Sequence, residues 1–350
     1  MTKAPVKKEV ADLSDLVASV RAALKDDLKV LENVKVWIPT GIPQLDIALG
    51  GGLPAGRLTT IIGKKSAGKS TLGIHLLAQV QKMGGLAVGI DVERSNLLSR
   101  CEAQGIDIDR YLPSQPDSLD SYEIEDIMTG KKKKVAGAFE IMERLIRTIR
   151  KTDQNALVGV ILDSIAGSSV ASEIEDQVGK ATMGKHARVV SQAFRKIMPL
   201  VHDMNIAFIL VNQLKEKIGV MFGSPNTYIA KNPIDFSSAI TMELKQVGIY
   251  PNKTNPEGIT TQCYISKNKV GNPFSTVRWT TWFDRGIDVI WEIVSFLEEK
   301  GTFGSTAGWL EWDGKKYRKN DFYEQAKANP ELKTLLDTEV DKFLPWKTSK

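Results

Sequence analysis

Gly63-Lys64-Lys65-Ser66-Ala67-Gly68-Lys69-Ser70 directly follows the apolar, β-branched run Leu58-Thr59-Thr60-Ile61-Ile62. It matches the phosphate-binding pattern G-x-x-x-x-G-K-[ST] at every required position. Residues 71–78 then continue with the apolar spacing of a helix. A strand, a glycine-rich turn and a helix in this order predict a phosphate loop. The alternative is a glycine-rich turn that binds no ligand.

The residue types of this turn suit a nucleotide triphosphate. Gly63 and Gly68 allow the backbone to turn tightly and to approach an anion, so that its amides point at phosphate oxygens. Lys69 is the expected cation for the β- and γ-phosphates, and the Ser70 hydroxyl is an expected Mg²⁺ ligand. The predicted nucleotide contacts in this segment are Gly63, Lys64, Lys65, Ser66, Ala67, Gly68, Lys69, Ser70 and Thr71.

Two further apolar runs end in carboxylates. Residues 86–91 lead to Glu93, and residues 158–162 lead to Asp163. Parallel sheets bind ligands at the carboxyl ends of their strands, so Asp163 is a candidate metal ligand that holds a water of the Mg²⁺ shell. Glu93 is the candidate base that orients the attacking water during ATP hydrolysis. The alternative for Glu93 is a surface carboxylate paired with Arg94.

Composition limits the class of protein. A length of 350 residues with 42% apolar side chains allows one large α/β core with smaller additions. The sequence has no run of eighteen apolar residues, so no membrane segment is expected. Cys101 and Cys263 are far apart, which predicts free thiols in a reducing cytoplasm. A net charge of +5 is compatible with a polyanionic partner but does not establish one.

Two polar segments are expected to leave the edge of the sheet that carries the phosphate loop. Residues 172–185 precede a helix, and residues 214–226 follow a strand that ends in Asn212-Gln213. The basic side chains that would neutralise DNA phosphates are Arg188, Arg195, Lys215 and Lys217. The apolar side chains that would wedge between bases are Ile218, Val220, Met221 and Phe222. The alternative is that residues 218–222 are simply a buried segment.

Other segments have more than one interpretation. Lys131-Lys132-Lys133-Lys134 predicts an exposed loop, which is either a solvated surface or a contact to DNA phosphates. Residues 9–25 have the spacing of an amphipathic helix that covers its own domain or a neighbouring subunit. Trp309 to Tyr317 predicts a hairpin with an Asp-Gly turn.

In this order, the motifs resemble the RecA family of homologous-recombination ATPases, from about residue 36 to about residue 340. The residues that carry the resemblance, besides the phosphate loop, are Ile90 to Glu93, Leu162 to Ser164, Glu173 to Glu175, Met183-Gly184, Arg188, Ser191 to Ala193, Asn212-Gln213, Lys217 to Gly223, Ser266 to Val270 and Asn272 to Phe274. The variant sequence and the lysine insert are compatible with a phage-borne member.

The resemblance implies a helical homo-oligomeric filament on single-stranded DNA that exchanges a homologous strand with double-stranded DNA. ATP with Mg²⁺ would lie between neighbouring protomers. Single-strand-binding and loader proteins would be further partners, the location would be cytoplasmic, and no membrane would be involved. The implied DNA-contacting loops are residues 175–185, which include Gly184, and residues 214–231, with Met183 and Ile218 as their apolar inserts.

The resemblance also assigns roles to single residues. Gln213 would sense the γ-phosphate, Phe236 would contact the adjacent subunit, and Lys267 and Lys269 would reach the neighbour's phosphates. Strand alternation agrees with the last assignment, since it places residues 267 and 269 on one side. Paired cations supplied in trans would make hydrolysis depend on assembly.

Four residues depart from the family pattern. Arg100 stands where the family usually has a tyrosine that stacks on adenine, and a guanidinium can also stack on a base. Ala230-Lys231 stands in place of paired glycines, which predicts a stiffer and more basic second loop. Asp235 replaces a usual lysine.

The sequence therefore predicts an α/β fold with a RecA-like phosphate-loop ATPase core, in which helices flank a mostly parallel sheet. The expected divisions are residues 1–35 as an oligomerisation helix and linker, 36–285 as the core, and 286–350 as a small α/β module. The predicted function is DNA-dependent ATP hydrolysis coupled to filament formation and strand exchange. The alternatives are a hexameric DNA translocase or helicase, and a recombination mediator that binds ATP and DNA without turnover.

Overall fold

The computed structural model describes residues 13–23, 33–125, 131–175, 184–216, 226–306 and 309–348. The chain divides into two compact units, residues 1–35 and 36–350. The first unit contains helix α1 (Leu13–Ala23), where the spacing of apolar residues predicts a helix. Leu16, Val17 and Val20 of this helix are exposed. Its role in oligomerisation stays a prediction.

The second unit contains the remaining helices and all the described strands. Its helices are α2 (Pro43–Leu49), α3 (Lys69–Lys82), α4 (Leu98–Ala103), α5 (Ala138–Thr152), α6 (Ala171–Glu175), α7 (Lys185–Asp203), α8 (Lys231–Ser237), α9 (Val289–Glu299), α10 (Lys319–Ala328), α11 (Pro330–Asp341) and α12 (Pro345–Thr348), with short 3₁₀ turns at Ile108–Arg110 and Ile165–Gly167. Its strands are β1 (Trp37–Ile38), β2 (Leu53–Pro54), β3 (Arg57–Gly63), β4 (Leu86–Asp91), β5 (Tyr111–Ser114), β6 (Tyr122–Glu125), β7 (Lys132–Val135), β8 (Val158–Asp163), β9 (Ile206–Gln213), β10 (Lys215–Glu216), β11 (Asn226–Thr227), β12 (Ile240–Pro251), β13 (Pro256–Asn268), β14 (Thr276–Trp282), β15 (Gly304–Thr306), β16 (Trp309–Trp312) and β17 (Lys315–Arg318).

An eight-stranded sheet in the order β14-β13-β12-β3-β9-β8-β4-β5 forms the centre of this unit. The strands from β12 to β5 pair in parallel, and β13 and β14 add an antiparallel edge. The middle strands β8 and β9 are buried on both faces, as their near-continuous apolar sequences require. The predicted α/β class, with a mostly parallel sheet, is confirmed.

Helices cover both faces of the sheet. On one face, Leu72 and Leu76 of α3 pack into a core with residues of α2 and β13. On the other face, Met142 of α5 and Phe194 of α7 pack into a second core with Phe208 of β9. None of the described helices is long and apolar enough to cross a membrane.

The C-terminal residues build a core of their own. One cluster contains Phe296 of α9, Phe322 of α10 and residues of α11, together with Phe303, which precedes β15. Strands β16 and β17 form the predicted hairpin, with both residues of the Asp313-Gly314 turn at positive φ. The boundary between residues 285 and 286 stays a prediction.

The lysine run differs from the exposed loop that was predicted. Lys132–Val135 forms strand β7, which pairs antiparallel with β6. Lys134 lies opposite Glu123, and Lys132 lies opposite Glu125. These two lysines therefore each face a residue of opposite charge on the neighbouring strand. Four lysines in sequence looked like a loop because these cross-strand carboxylates are not adjacent in the chain.

Candidate functional site

The parallel strands bring four polar segments to one edge of the sheet. In the β3–β9 pair Gly63 lies opposite Gln213, and in the β4–β8 pair Asp91 lies opposite Asp163. Carboxyl ends of parallel strands are where α/β sheets bind ligands. The predicted phosphate loop therefore starts beside the predicted γ-phosphate sensor.

The phosphate loop joins β3 to α3 as the sequence predicts. A Cβ on Gly63 would lie 2.6 Å from the backbone oxygen of Leu244, so the neighbouring strand leaves no room for a side chain there. Gly68 begins α3 with a φ of 84°, a conformation that glycine adopts without strain. Lys69 Nζ donates a hydrogen bond to the Lys64 oxygen at 2.9 Å.

A cavity of about 930 Å³ opens over this loop. The predicted nucleotide-site residues that line it are Lys65, Ser66, Ala67, Gly68, Lys69, Ser70, Thr71, Glu93, Arg100, Asp163 and Gln213. Gly63 and Lys64, also predicted contacts, do not line it. The volume is in the range of small-molecule and cofactor sites.

The predicted metal ligands lie together at the bottom of the loop. Asp163 is buried and accepts a hydrogen bond from the Ser70 hydroxyl. Burial raises the pKa of the Asp163 carboxyl to about 6, although the bond from Ser70 favours the ionised form. A hydroxyl beside a carboxylate fits the oxygen ligands that Mg²⁺ prefers. Among the described residues, no group of three or more His, Cys, Asp or Glu side chains forms a separate metal site.

Lys69 is close to both predicted acidic residues. Burial lowers the pKa of Lys69, whereas the nearby carboxylates of Asp163 and Glu93 act in the opposite direction. The arrangement concentrates one cation and two carboxylates where the strands end.

Glu93 is held by the strand beside it. The amide of Val92 donates to the Asp163 oxygen at 2.8 Å, and the Ser164 hydroxyl donates to Glu93 Oε1. Arg94 forms its ion pair with Asp117 instead, so the alternative pairing of Glu93 with Arg94 is not what the structure contains.

The opposite wall of the cavity contains residues that the sequence did not indicate. They come mainly from β12, β13, β14 and the turn that follows, and they are Gln104, Gln246, Ile249, Pro256, Ile259, Thr281, Trp282 and Phe283. Trp282 is buried and Arg285 stacks on its ring at 3.9 Å, whereas Phe283 is 59% exposed. No local motif marks these residues, because only the pairing of distant strands places them here.

Lys267 and Lys269 lie together but outside this cavity. Lys267 Nζ donates to the backbone oxygen of Asp235, and Lys269 Nζ donates to that of Phe236 at 3.2 Å. Both lysines thus reach α8 from one side, as strand alternation predicts. The Asp235 carboxylate accepts hydrogen bonds from Tyr228 and from Lys231.

Phe236 is 85% exposed on α8, next to these lysines. Its predicted place at a subunit interface stays a prediction.

The segments predicted to contact DNA begin at the same edge of the sheet. Gly184 directly precedes α7, and Arg188 and Arg195 are exposed on that helix. Lys215 is exposed in β10, which pairs with β11 and closes the base of the second segment. The remaining predicted DNA contacts, which lie outside the described residues, are Met183, Lys217, Ile218, Val220, Met221 and Phe222.

The lysines of strand β7 lie close to acidic side chains. Lys134 Nζ lies 2.8 Å from Glu140, and Lys132 Nζ lies 3.8 Å from Glu123. These pairs favour the interpretation of a solvated surface over that of a phosphate contact.

A strand, a glycine-rich loop and a helix, with a lysine and a serine facing the carboxylate of a neighbouring strand, define a phosphate-loop nucleotide-binding protein. A sequence model of the RecA N-terminal domain matches residues 22–288 of this chain. Protein RecA of Aquifex aeolicus (strain VF5) is 33% identical over 317 residues, covering 89% of this chain and 86% of that protein. Protein RecA of Cytophaga hutchinsonii is 35% identical over 294 residues, covering 83% and 77%. The chain belongs to the RecA family, as its motifs predicted.

Proposed function

We propose that this chain is a DNA-dependent ATPase that forms helical filaments on single-stranded DNA and catalyses homologous pairing and strand exchange. ATP and Mg²⁺ are the proposed cofactors. Single-stranded DNA, homologous duplex and further copies of the chain are the proposed partners, with single-strand-binding and loader proteins as helpers. A cytoplasmic location belongs to the same proposal, and a phage origin stays a prediction.

The position of Gln213 carries this proposal. Gln213 is the last residue of β9, lines the cavity and lies opposite Gly63. The next amide, that of Leu214, donates to the Gly63 oxygen at 3.0 Å. The proposed second DNA segment, residues 214–231, therefore begins one residue after a side chain of the nucleotide cavity. A movement of the Gln213 side chain in response to the γ-phosphate would therefore act directly on the first residue of the DNA segment.

The residues of the cavity suit ATP hydrolysis. Ser70 and Asp163 would hold Mg²⁺, which when bound neutralises charge on the phosphate oxygens. Lys69 would bind the β- and γ-phosphates, and Glu93 would accept a proton from the attacking water. Arg100 is the candidate for stacking on the base from α4.

Hydrolysis would depend on assembly through the lysines near α8. Lys267 and Lys269 lie outside the chain's own cavity, beside the exposed ring of Phe236. Cations in that position suit the phosphates of a nucleotide bound to a neighbouring protomer better than those of a nucleotide in the same chain, in the manner of an arginine finger in trans.

ATP turnover with and without single-stranded DNA tests the ATPase, with Lys69→Ala as the inactive control. Negative-stain images with a slowly hydrolysed ATP analogue test the assembly. We expect DNA-stimulated turnover and helical filaments. Closed rings would instead indicate a hexameric translocase or helicase, and DNA binding without turnover would indicate a mediator.

A further inference from the structure

We propose that Ser164 and Gly167 are positioning residues for Glu93, which hold its carboxylate in one place beside Lys69 and Asp163. The inference rests on the proposed ATPase function. Neither residue belongs to the phosphate loop. Ser164 directly follows β8, and Gly167 is the last residue of the 3₁₀ turn Ile165–Gly167 that comes next.

The backbone of Glu93 is fixed by the end of β8. Asp91 and Asp163 are the last residues of two paired parallel strands. Beyond that pair, the amides of Val92 and Glu93 both donate to the backbone oxygen of Asp163, at 2.8 Å and 3.5 Å. Glu93 therefore starts directly next to Ser164.

The side chain of Glu93 is exposed, so it needs a contact to select one rotamer. The Ser164 hydroxyl supplies one by donating to Oε1. Among the described residues, none donates a hydrogen bond to Oε2. A carboxylate can accept at both oxygens, so Oε2 stays available for the proton of the attacking water.

Gly167 provides the room for this rotamer. A Cβ at position 167 would lie 2.5 Å from Glu93 Cγ and 2.9 Å from Glu93 Oε1. The φ of Gly167 is not in the left-handed region, so the backbone itself does not require glycine. The three atoms nearest to such a Cβ all belong to Glu93, so a side chain at position 167 would displace the Glu93 carboxylate first.

A neighbouring serine shows what a purely structural hydroxyl does in this turn. Ser168 is buried and donates to the backbone oxygen of Ile165 at 2.7 Å. Ser164 instead donates to an exposed carboxylate at the cavity. The two hydroxyls make a matched pair, because the same Ser→Ala change removes a local backbone contact in one case and the contact to Glu93 in the other.

The test measures single-strand-stimulated kcat and the Kd of ATP in the full chain, both in the parent and in a Glu93→Gln background. Binding is followed by tryptophan fluorescence, since Trp282 lines the cavity. We expect Ser164→Ala and Gly167→Ala each to lower kcat about tenfold through misplacement of the base, with Kd within about twofold of the parent. Ser164→Thr should retain most of kcat, and Ser168→Ala should match the parent.

The Glu93→Gln background separates positioning from damage to the fold. Because Ser164 and Gly167 act through Glu93, neither change should lower kcat further once the base is gone. An equal loss in both backgrounds overturns the inference, as does a parental kcat for Ser164→Ala when Glu93→Gln itself is slow. A parental kcat for Glu93→Gln overturns the base assignment and the inference with it.

Discussion

The two walls of the nucleotide cavity are built in different ways. One wall consists of strand ends and the start of α3 and carries Lys69, Glu93 and Asp163, which hydrogen bonds and charge hold in place. The other wall comes mainly from β12, β13, β14 and the turn after β14, and besides a few polar residues it carries apolar and aromatic side chains such as Ile259 and Phe283. Charged groups at strand ends can act on a reacting phosphate, whereas an apolar face can only bind. We therefore expect changes in the first wall to alter kcat or the binding of Mg²⁺–ATP, and changes in the second wall to alter affinity alone.

The apolar wall is backed by packed aromatic rings. Trp282 meets Tyr250 and Trp291 edge to face, with ring centroids 5.0 Å and 5.4 Å apart. Arg285 covers the Trp282 ring and forms ion pairs with Asp284 and Asp288. Phe283 directly follows Trp282 in the chain, is exposed and lines the cavity, so its ring is a second candidate surface for the base besides Arg100.

Glu93→Gln should show the largest effect on the charged wall. Loss of a general base is expected to lower kcat at least about 100-fold, while the Kd of ATP and binding to DNA stay close to those of the parent. Steady-state turnover and equilibrium binding measure the two quantities. Glu102→Gln, the same change at an exposed position of α4 outside the cavity, is the control. Turnover of Glu93→Gln at the parental rate would show that another group activates the water.

Phe283→Ala should show the complementary effect on the apolar wall. Stacking of a base on an aromatic ring contributes about 1–3 kcal/mol, so the Kd of ATP should rise about five- to 150-fold. At saturating ATP, kcat should be nearly unchanged. Phe274→Ala is a matched control, because this exposed ring stacks on Tyr264 away from the cavity. A fall in kcat at unchanged Kd would contradict the division between the two walls.

The pKa of Asp163 predicts how the charged wall responds to pH. Burial raises that pKa to about 6, so the carboxyl is mostly ionised at pH 7 and mostly protonated at pH 5. Protonation removes the charge that would attract Mg²⁺. We expect the affinity for Mg²⁺–ATP to fall about tenfold from pH 7 to pH 5, beyond the loss from protonation of the nucleotide alone.

Magnesium titrations at fixed nucleotide measure this dependence. Asp163→Asn should bind Mg²⁺–ATP weakly at both pH values and should lose most of the difference between them. A pH dependence that persists in Asp163→Asn would place the titrating group elsewhere in the cavity.

The smallest expected effect lies in the segment that leaves the charged wall. Ala230 precedes α8 with a φ of 55°, in the left-handed region that costs a residue with a Cβ about 1–2 kcal/mol. Glycine removes this cost but loses more backbone entropy on folding and a buried methyl group, so Ala230→Gly should leave the stability within about 0.5 kcal/mol of the parent. Denaturant unfolding measures the change. Ala193→Gly, inside α7, should destabilise by about 1 kcal/mol, and a similar loss for Ala230→Gly would contradict the strain at that position.

Sequence patterns predicted the charged wall far better than the apolar one. Residues 63–70 are contiguous, and Glu93 and Asp163 each follow an apolar run, so strand ends alone bring them together. Phe283 and Ile259 reach the cavity only through the register of β12 to β14, which depends on long-range pairing. Register depends on which face of each strand is buried and on the connecting turns, which a short motif does not reveal.

Strand β7, which contains Lys132 to Lys134, is a second place where a short-range pattern did not reveal the pairing of strands. The sequence predicted a loop at Lys131 to Lys134, because four adjacent cations suggest a solvated segment. The structure instead pairs Lys134 and Lys132 with Glu123 and Glu125 across two strands. Glu123 and Glu125 alternate in the chain as residues of a strand do, and that alternation was the signal available.

The most direct test of the proposed function is the formation of joint molecules between a labelled single strand and a supercoiled duplex. The assay includes ATP and Mg²⁺, compares a homologous with a non-homologous duplex, and uses Lys69→Ala as the control. A strand-exchange ATPase should yield product only with ATP, only with homology and not with Lys69→Ala. Tight single-strand binding and ATP turnover without any joint molecule would contradict the recombinase proposal and favour a translocase.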